Sequence, residues 1–452
     1  MSRDKFLRHG ASSNSEHERD TQLTSTTEFA ATTPRGDISA SVRSTKKKQS
    51  RKPMQRGQSK LEAERERLLR TAARIVIKLG TSTVTAPDGM LCRERVEPLL
   101  SSIARLHGTG KQIVLVSSGA IGLGRGWLGL HPSRLQDLAT KQACAAVGQG
   151  LLMNAYKEMF SVWDIKIAQL LLTSEDFSNW RRYTNMRRTM EKLLSLGVLP
   201  IVNENDTVST AEIESLDGRD RTAAFSDNDR LAALVMSGLE ADALVLLTDV
   251  DGLFQKTPVK NESRLAPEVI PVVSQVTPEL KDLAAGPSAS GRGGMLTKLE
   301  ASEIAMNCGR LSVIANGKKP DILDRIFSGQ SIGTTFLQAK RIRGKRRWIA
   351  YAADVRGRVT ADPGACRAIT NGKASLLTSG VERIDGHFFP MDVVSIVNHE
   401  GREIARGIAT CGSQEAEDIL RRRKTIGTGK ALGAALRHIL VRRDNIVLVE
   451  KS

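Results

Sequence analysis

The sequence predicts an α/β protein built on a mostly parallel sheet with helices on both faces, followed by a smaller β-rich domain. Three observations predict it. Between about residues 74 and 340, short apolar runs alternate with helical periodicity, the pattern of βαβ units. From Trp348 to about Cys411, shorter runs are separated by Gly- and Asp-containing turns. A basic stretch through Lys340, Arg341, Arg343, Lys345, Arg346 and Arg347 separates the two regions.

The elements follow in order. Residues 1–72 read as a disordered basic extension. The first sixty hold thirteen Lys/Arg against six Asp/Glu and almost no apolar periodicity, too little to offset chain entropy. The α/β domain is placed at 73–340. Its first strand is Ile75-Val76-Ile77, followed by a helix over about 94–107 and a strand at 113–116. A long helical stretch leads to strands at 165–172 and 198–202, then to a helix from Asp227 and a strand at 243–247. The β-rich domain is placed at 347–435, with strands near 357–360, 374–377, 393–397 and 403–407 and a short helix at 413–422. Residues 436–452 are assigned to a C-terminal tail, with residues 431–450 able to form a further helix and strand.

Composition narrows the function. Aromatic residues make up only 4% of the chain, which argues against a stacking-based binder of single-stranded nucleic acid. Of the net charge of +17, much lies in the extension and linker, where solubility explains it first and RNA or anionic substrates second. No apolar run reaches the length of a membrane span. The five cysteines are widely spaced and form no C-x-x-C pair, and there is no signal peptide, so a reduced cytoplasmic protein is expected. No Cys/His spacing suggests a metal site.

In open parallel sheets, ligands bind beyond the carboxyl ends of the strands. Four strand ends here carry small polar or charged residues: Lys78-Leu79-Gly80-Thr81-Ser82, Ser117-Ser118-Gly119-Ala120, Asn203-Glu204-Asn205-Asp206 and Thr248-Asp249-Val250-Asp251-Gly252. One such end is ordinary; four on one edge make a site. Two lysines stand in glycine-rich surroundings, Lys78 before Gly80 and Lys298 after Gly291-Arg292-Gly293-Gly294-Met295-Leu296-Thr297. A glycine turn opening a helix presents backbone N–H groups to an anion, and two cations beside it suit a transferring phosphoryl group. Neither this turn nor residues 427–431 satisfies the Walker A pattern. Gly124-Arg125-Gly126-Trp127-Leu128-Gly129 does satisfy G-x-G-x-x-G. It starts several residues beyond the strand, however, and has no acidic residue at ribose distance, so a loop over the substrate edge is expected. None of the four ends carries a His. That fits an acceptor such as a carboxylate, already ionised at neutral pH and needing no general base.

These motifs, together with Ser226-Asp227-Asn228-Asp229, Lys141-Gln142-Ala143 and Ala146-Val147-Gly148-Gln149, resemble the signature of glutamate 5-kinases in order and spacing over about residues 74–333. The segment from about Arg347 resembles a PUA domain. The resemblance implies an amino-acid-kinase fold, a three-layer αβα sandwich, that transfers a phosphoryl group from Mg2+-ATP to the γ-carboxylate of glutamate, the first step of proline biosynthesis, with proline as feedback inhibitor. By the same resemblance Lys78 and Lys298 stabilise the transferring group and Asp229 organises them. Ser118, Gly119, Asn203, Asp206 and Asn228 would bind glutamate. Lys78, Thr248, Asp249, Arg292, Gly293, Gly294, Met295, Leu296, Thr297 and Lys298 would contact the nucleotide. Arg292 stands where a small hydroxylated residue is expected. A homodimer or tetramer fits the resemblance.

Other readings stay open on the sequence. The acceptor can be aspartate, N-acetylglutamate, carbamate or a nucleoside monophosphate. A second class is an RNA-binding protein acting through the PUA-like segment. Ser118 also fits a helix cap, and Asn203 and Asn205 fit turn formers.

Overall fold

A computed structural model of the chain describes residues 53–209, 228–255, 268–284, 294–337, 346, 348–352, 355–372, 374–426 and 438–449. It begins with a correction. The last quarter of the expected disordered extension is a helix, α1 (Pro53–Thr71). Its Leu69 is buried against the domain, and its Arg65 donates to the carbonyls of Gly329 and Gln330 at 3.0 and 2.8 Å. A charged helix with few apolar side chains is held here by capping another segment's carbonyls, a contact that local periodicity does not show.

Eight strands form one sheet: β1 (Arg74–Leu79), β2 (Gln112–Ser117), β3 (Ile167–Leu172), β4 (Leu199–Glu204), β5 (Ala243–Thr248), β6 (Val272–Val273), β7 (Leu311–Asn316) and β8 (Thr334–Phe336). Their order is β3-β4-β2-β1-β5-β7-β8-β6. Neighbours from β3 to β7 pair in parallel, and β8 turns antiparallel to β7.

Period-2 alternation divides the strand side chains between two cores. Ile75, Ile77, Leu79, Ile113, Leu115, Ala243, Val245 and Leu247 face one cluster. It is covered by α3 (Arg93–Gly108), α5 (Leu138–Ser161) and α11 (Ile322–Phe327). Val76, Val114, Val116, Leu244 and Leu246 face the other, under α7 (Trp180–Ser195), α8 (Asn228–Leu239) and α10 (Met295–Asn307). The result is the expected three-layer sandwich. Shorter helices connect these layers: α2 (Thr81–Val84), α4 (Ala120–Trp127), α6 (Ser174–Ser178) and α9 (Pro278–Ala284).

The G-x-G-x-x-G stretch is not a loop. It begins inside α4, whose glycines let it lie directly on α5. A Cβ on Gly124 would stand 1.9 Å from the Cys144 carbonyl oxygen, and one on Gly148 would stand 1.7 Å from that of Ala120. Turn-like composition here serves close helix contact instead.

The second domain is a six-stranded sheet in the order β10-β14-β13-β12-β9-β11 around its own apolar cluster. Its strands are β9 (Val355–Ala361), β10 (Leu376–Leu377), β11 (Val381–Gly386), β12 (Val393–Val397), β13 (Glu403–Ala409) and β14 (Ile439–Leu448), with helices α12 (Pro363–Thr370) and α13 (Ser413–Ile426). The expected tail therefore contributes β14, which pairs with both β13 and β10 and buries Leu440 and Val441. Its partners lie thirty or more residues away in sequence, beyond the reach of local pattern.

The two domains share apolar contacts. Trp348 is 1% exposed, and its Nε1 donates to the Phe177 carbonyl at 2.6 Å. Its ring lies 5.1 Å from that of Trp180 and 6.3 Å from that of Tyr183. Val393, Ile408 and Val447 of the second domain join the same core cluster as α7, α8 and α10. Of the basic stretch at 340–347, only Arg346 lies within the described residues.

Candidate active site

Lys78 alternates with Val76 and so faces the layer of α8 and α10 instead of solvent. It is 3% exposed. Its Nζ lies 2.7 Å from Oδ1 of Asp229, in the first turn of α8, where a carboxylate is favoured by the helix dipole. Lys298, in the first turns of α10, brings its Nζ to 3.0 Å from the other oxygen, Oδ2. Thr297 Oγ1 donates to the same oxygen at 3.0 Å. Asp229 is fully buried, so two ammonium groups from two different layers are held by one carboxylate away from water. The assembly carries a net positive charge at the amino end of α10, whose cap residue Gly294 makes no side-chain cap bond.

A second group adjoins the first through the chain, because Asn228 precedes Asp229. Asn228 Nδ2 lies 3.0 Å from the Ser117 carbonyl, 2.9 Å from Ser118 Oγ and 2.9 Å from Asn203 Oδ1. Asn203 in turn donates to Gln149 Oε1 at 2.9 Å. Behind them the Ser117 hydroxyl meets Tyr156 OH at 2.7 Å. Burial pushes the Tyr156 phenol far up, so it remains a neutral partner at physiological pH. Gly119 closes β2 at φ +105, and a Cβ there would stand 2.9 Å from Val84 Cγ1. Only glycine fits that turn, which delivers Ser118 to one side and the start of α4 to the other. The cap position of α4 is Gly119, so Ser118 is not that helix's cap.

The third group closes β5. Thr248 Oγ1 donates to Asp249 Oδ1 at 3.2 Å, and Gly317 N donates to the Thr248 carbonyl. Two residues on, Asp251 accepts from Lys319 Nζ and Asn316 Nδ2, both at 2.8 Å. The Lys319 bond first, and the Asn316 bond second, hold its carboxyl below the ordinary range.

The structure thus gathers Lys78, Asp229, Lys298 and Thr297 into one cluster and Ser118, Asn203 and Asn228 into another. Asp206 stands in the turn after β4, three residues past Asn203. Asn205 receives the Thr207 hydroxyl at 2.5 Å, which makes it a turn former. Met295 and Leu296 turn their side chains onto the core cluster below α10, so their contact with a nucleotide would be through the backbone. Arg292 and Gly293 lie outside the described residues. Sequence reasoning missed Tyr156 and gave Gln149, quoted only as part of the 146–149 motif, no place on this edge. Their signal was polar groups at 149 and 156 on the buried stripe of a long helix that also carries Leu152.

Residues 73–316 match the Amino acid kinase family, and residues 357–427 match the PUA domain. The chain belongs to the amino acid kinase family, among the glutamate 5-kinases. It is 44% identical to a glutamate 5-kinase of Caldanaerobacter subterraneus subsp. tengcongensis over 382 residues, 84% of this chain and 98% of that protein. A glutamate 5-kinase of Moorella thermoacetica is 42% identical over 383 residues, 84% of this chain and 97% of that one. One from Bifidobacterium animalis subsp. lactis is 42% identical over 397 residues, 87% of this chain and all of that protein. No helix among the described residues is long and apolar enough to cross a membrane.

Proposed function

We propose that the chain transfers the γ-phosphoryl group of ATP to the γ-carboxylate of L-glutamate, giving L-glutamyl 5-phosphate as the first step of proline biosynthesis. The observation that carries this reading is the buried Lys78–Asp229–Lys298 bridge, one residue along the chain from the Ser118–Asn203–Asn228 network. The acceptor is already ionised, so no side chain need take a proton. Lys78, Lys298 and the first N–H groups of α10 face the charge that develops on the transferring group, and Asp229 keeps the two lysines at fixed separation. Ser118, Gly119, Asn203, Asp206 and Asn228 form the glutamate side. Thr248, Asp249 and residues 292–298 form the nucleotide side.

Mg2+ neutralises phosphate oxygens when it is bound with ATP. Asp229 is committed to two lysines and Asp251 to Lys319 and Asn316, so the phosphates, with Asp249 at the end of β5, are the fitting ligands. Proline shares glutamate's α-carboxylate and α-amino nitrogen but lacks the acceptor carboxylate. It would occupy the amino-acid side unproductively, which supports end-product inhibition. We place the reaction in the cytoplasm, where the five free cysteines stay reduced, in a homodimer or tetramer. RNA contact through the PUA domain, with Arg356, Arg358, Arg442 and Arg443 exposed on β9 and β14, is a side role.

The test is Mg2+-ATP turnover against glutamate, aspartate, N-acetylglutamate, carbamate and UMP, with acyl phosphate trapped by hydroxylamine. Glutamate-dependent hydroxamate, abolished in Lys78→Ala and Lys298→Ala and suppressed by added proline, is expected. Turnover with another acceptor alone overturns the substrate, and insensitivity to proline removes the inhibition.

A further inference from the structure

Gln149 has no role in the reading above. It lies on α5, is 8% exposed, and ends a chain of three carboxamides that begins at Asn228. The direction of that chain is set by main-chain groups. Asn228 Nδ2 donates to the Ser117 carbonyl, which can only accept, so the NH2 of Asn228 is the group turned toward Asn203. Asn203 Oδ1 accepts from it and also from the backbone N–H of Glu204 at 2.9 Å, which can only donate. The Asn203 NH2 is therefore turned toward Gln149, and Gln149 must offer Oε1. Its Nε2 is left as the terminal donor, fully buried and with no acceptor among the described residues.

A buried donor without an acceptor is costly and rare in a folded protein. This one sits beside the cluster that approaches the reacting groups, and its chemistry selects its ligand. An NH2 group donates only, so it repels the α-ammonium of an amino acid and accepts pairing with a carboxylate oxygen. We propose that Gln149 is a substrate-binding residue whose Nε2 donates to a carboxylate oxygen of glutamate. The inference rests on placing the amino-acid substrate at the Ser118–Asn203–Asn228 edge. It gives Asn203 a second function: Asn203 fixes which end of the Gln149 amide faces the ligand.

Gln149→Glu keeps an acceptor for Asn203 and replaces the donor with an oxygen that repels a carboxylate. Gln149→Leu fills the same volume with neither. Saturation kinetics in glutamate and in ATP, with thermal midpoints measured with and without glutamate, test the role; Ser118→Ala serves as reference for the site. For both Gln149 variants the expected result is a loss of about ten- to hundredfold in kcat/KM for glutamate, the worth of one hydrogen bond to a charged group. The KM for ATP stays within about twofold, and the glutamate-induced rise in thermal midpoint disappears. A rise in KM alone assigns the bond to the α-carboxylate, and a fall in kcat assigns it to the reacting one. A lowered midpoint with unchanged glutamate kinetics overturns the proposal and leaves Gln149 a structural residue. If Ser118→Ala loses glutamate binding while the Gln149 variants do not, only the Gln149 role falls. If all three behave as wild type, the placement of the substrate falls with it. Should Gln149→Glu fail to fold, Gln149→Leu decides by the same readouts.

Discussion

Replacing Asp229 with Asn removes the one negative charge that holds Lys78 and Lys298 together. At an effective dielectric near 20, ion pairs at 2.7 and 3.0 Å each carry roughly 6 kcal/mol of Coulomb attraction. Most of that offsets the desolvation of three buried charges. The net cost of breaking such a pair is about 3–5 kcal/mol, because the remaining partner is left buried and uncompensated. Asn keeps one oxygen acceptor but turns an NH2 toward an ammonium group, so one lysine must move or lose its proton. With both lysines assigned, as proposed above, to the transferring phosphoryl group, kcat should fall by roughly a hundred- to a thousandfold, with a smaller change in the KM for ATP. Denaturant unfolding measures the stability, and glutamate-dependent hydroxamate formation measures kcat. A second variant sharpens the argument. Asp229→Asn combined with Lys298→Met leaves one unpaired charge instead of two, so the double variant should be more stable than Asp229→Asn alone. A kcat within about threefold of wild type, or a double variant whose loss equals the sum of the two singles, would refute the bridge as the organiser of these lysines.

The other predictions follow from geometry and titration. Gly148→Ala must push α5 off the Ala120 carbonyl and should cost at least about 1–3 kcal/mol and raise the glutamate KM, while Gly150→Ala, with open space at its Cβ, should gain about 0.5–1 kcal/mol; thermal melts and kinetics check both. Trp348→Ala should cost about 3–5 kcal/mol and expose the interdomain stretch to limited proteolysis. Asp251 has a depressed folded pKa, so its contribution is present above the ordinary carboxylate value of about 3.9 and is lost as pH falls below it. The stability gap between wild type and Asp251→Asn should therefore close on acidification, and it should stay under about 1 kcal/mol because both bridge partners are partly exposed. The Cys411 thiol, pushed up to about 11 by burial and then by Glu415, should resist alkylation at pH 8 until the protein unfolds, as mass spectrometry of labelled peptides would show.

The parts of this molecule written in local pattern were legible. The strand ends that present Lys78, Ser118, Asn203 and Thr248 follow apolar runs of the right period, and a polar cluster at each end of a buried strand has few structural uses. What escaped was set by partners distant in sequence. Gly124 and Gly126 have the composition of a turn, and only the approach of Cys144 and Gly148 to Gly124, and of the Gly89 backbone to Gly126, makes them sites of close packing. Arg65 earns its place through carbonyls at 329 and 330. A strand within 431–450 was legible, but its place in the second sheet was not, because the pairing of β14 with β13 and β10 is a long-range fact. Gln149 and Tyr156 are polar residues in an otherwise ordinary helix, and their meaning comes from Asn203 and Ser117, which other elements bring to them.

The aromatic seam between the domains has an optical consequence. The chain has four tryptophans, and two of them, Trp180 and Trp348, are in contact across the seam. The other two, Trp127 and Trp163, are 65% and 40% exposed. Emission from the buried Trp348 and its half-buried partner Trp180 is therefore separable by wavelength from the solvent-facing background. Any ligand that parts the second domain from α7 would hydrate Trp348 and shift that emission to the red, so the protein carries an intrinsic gauge of communication between its two halves.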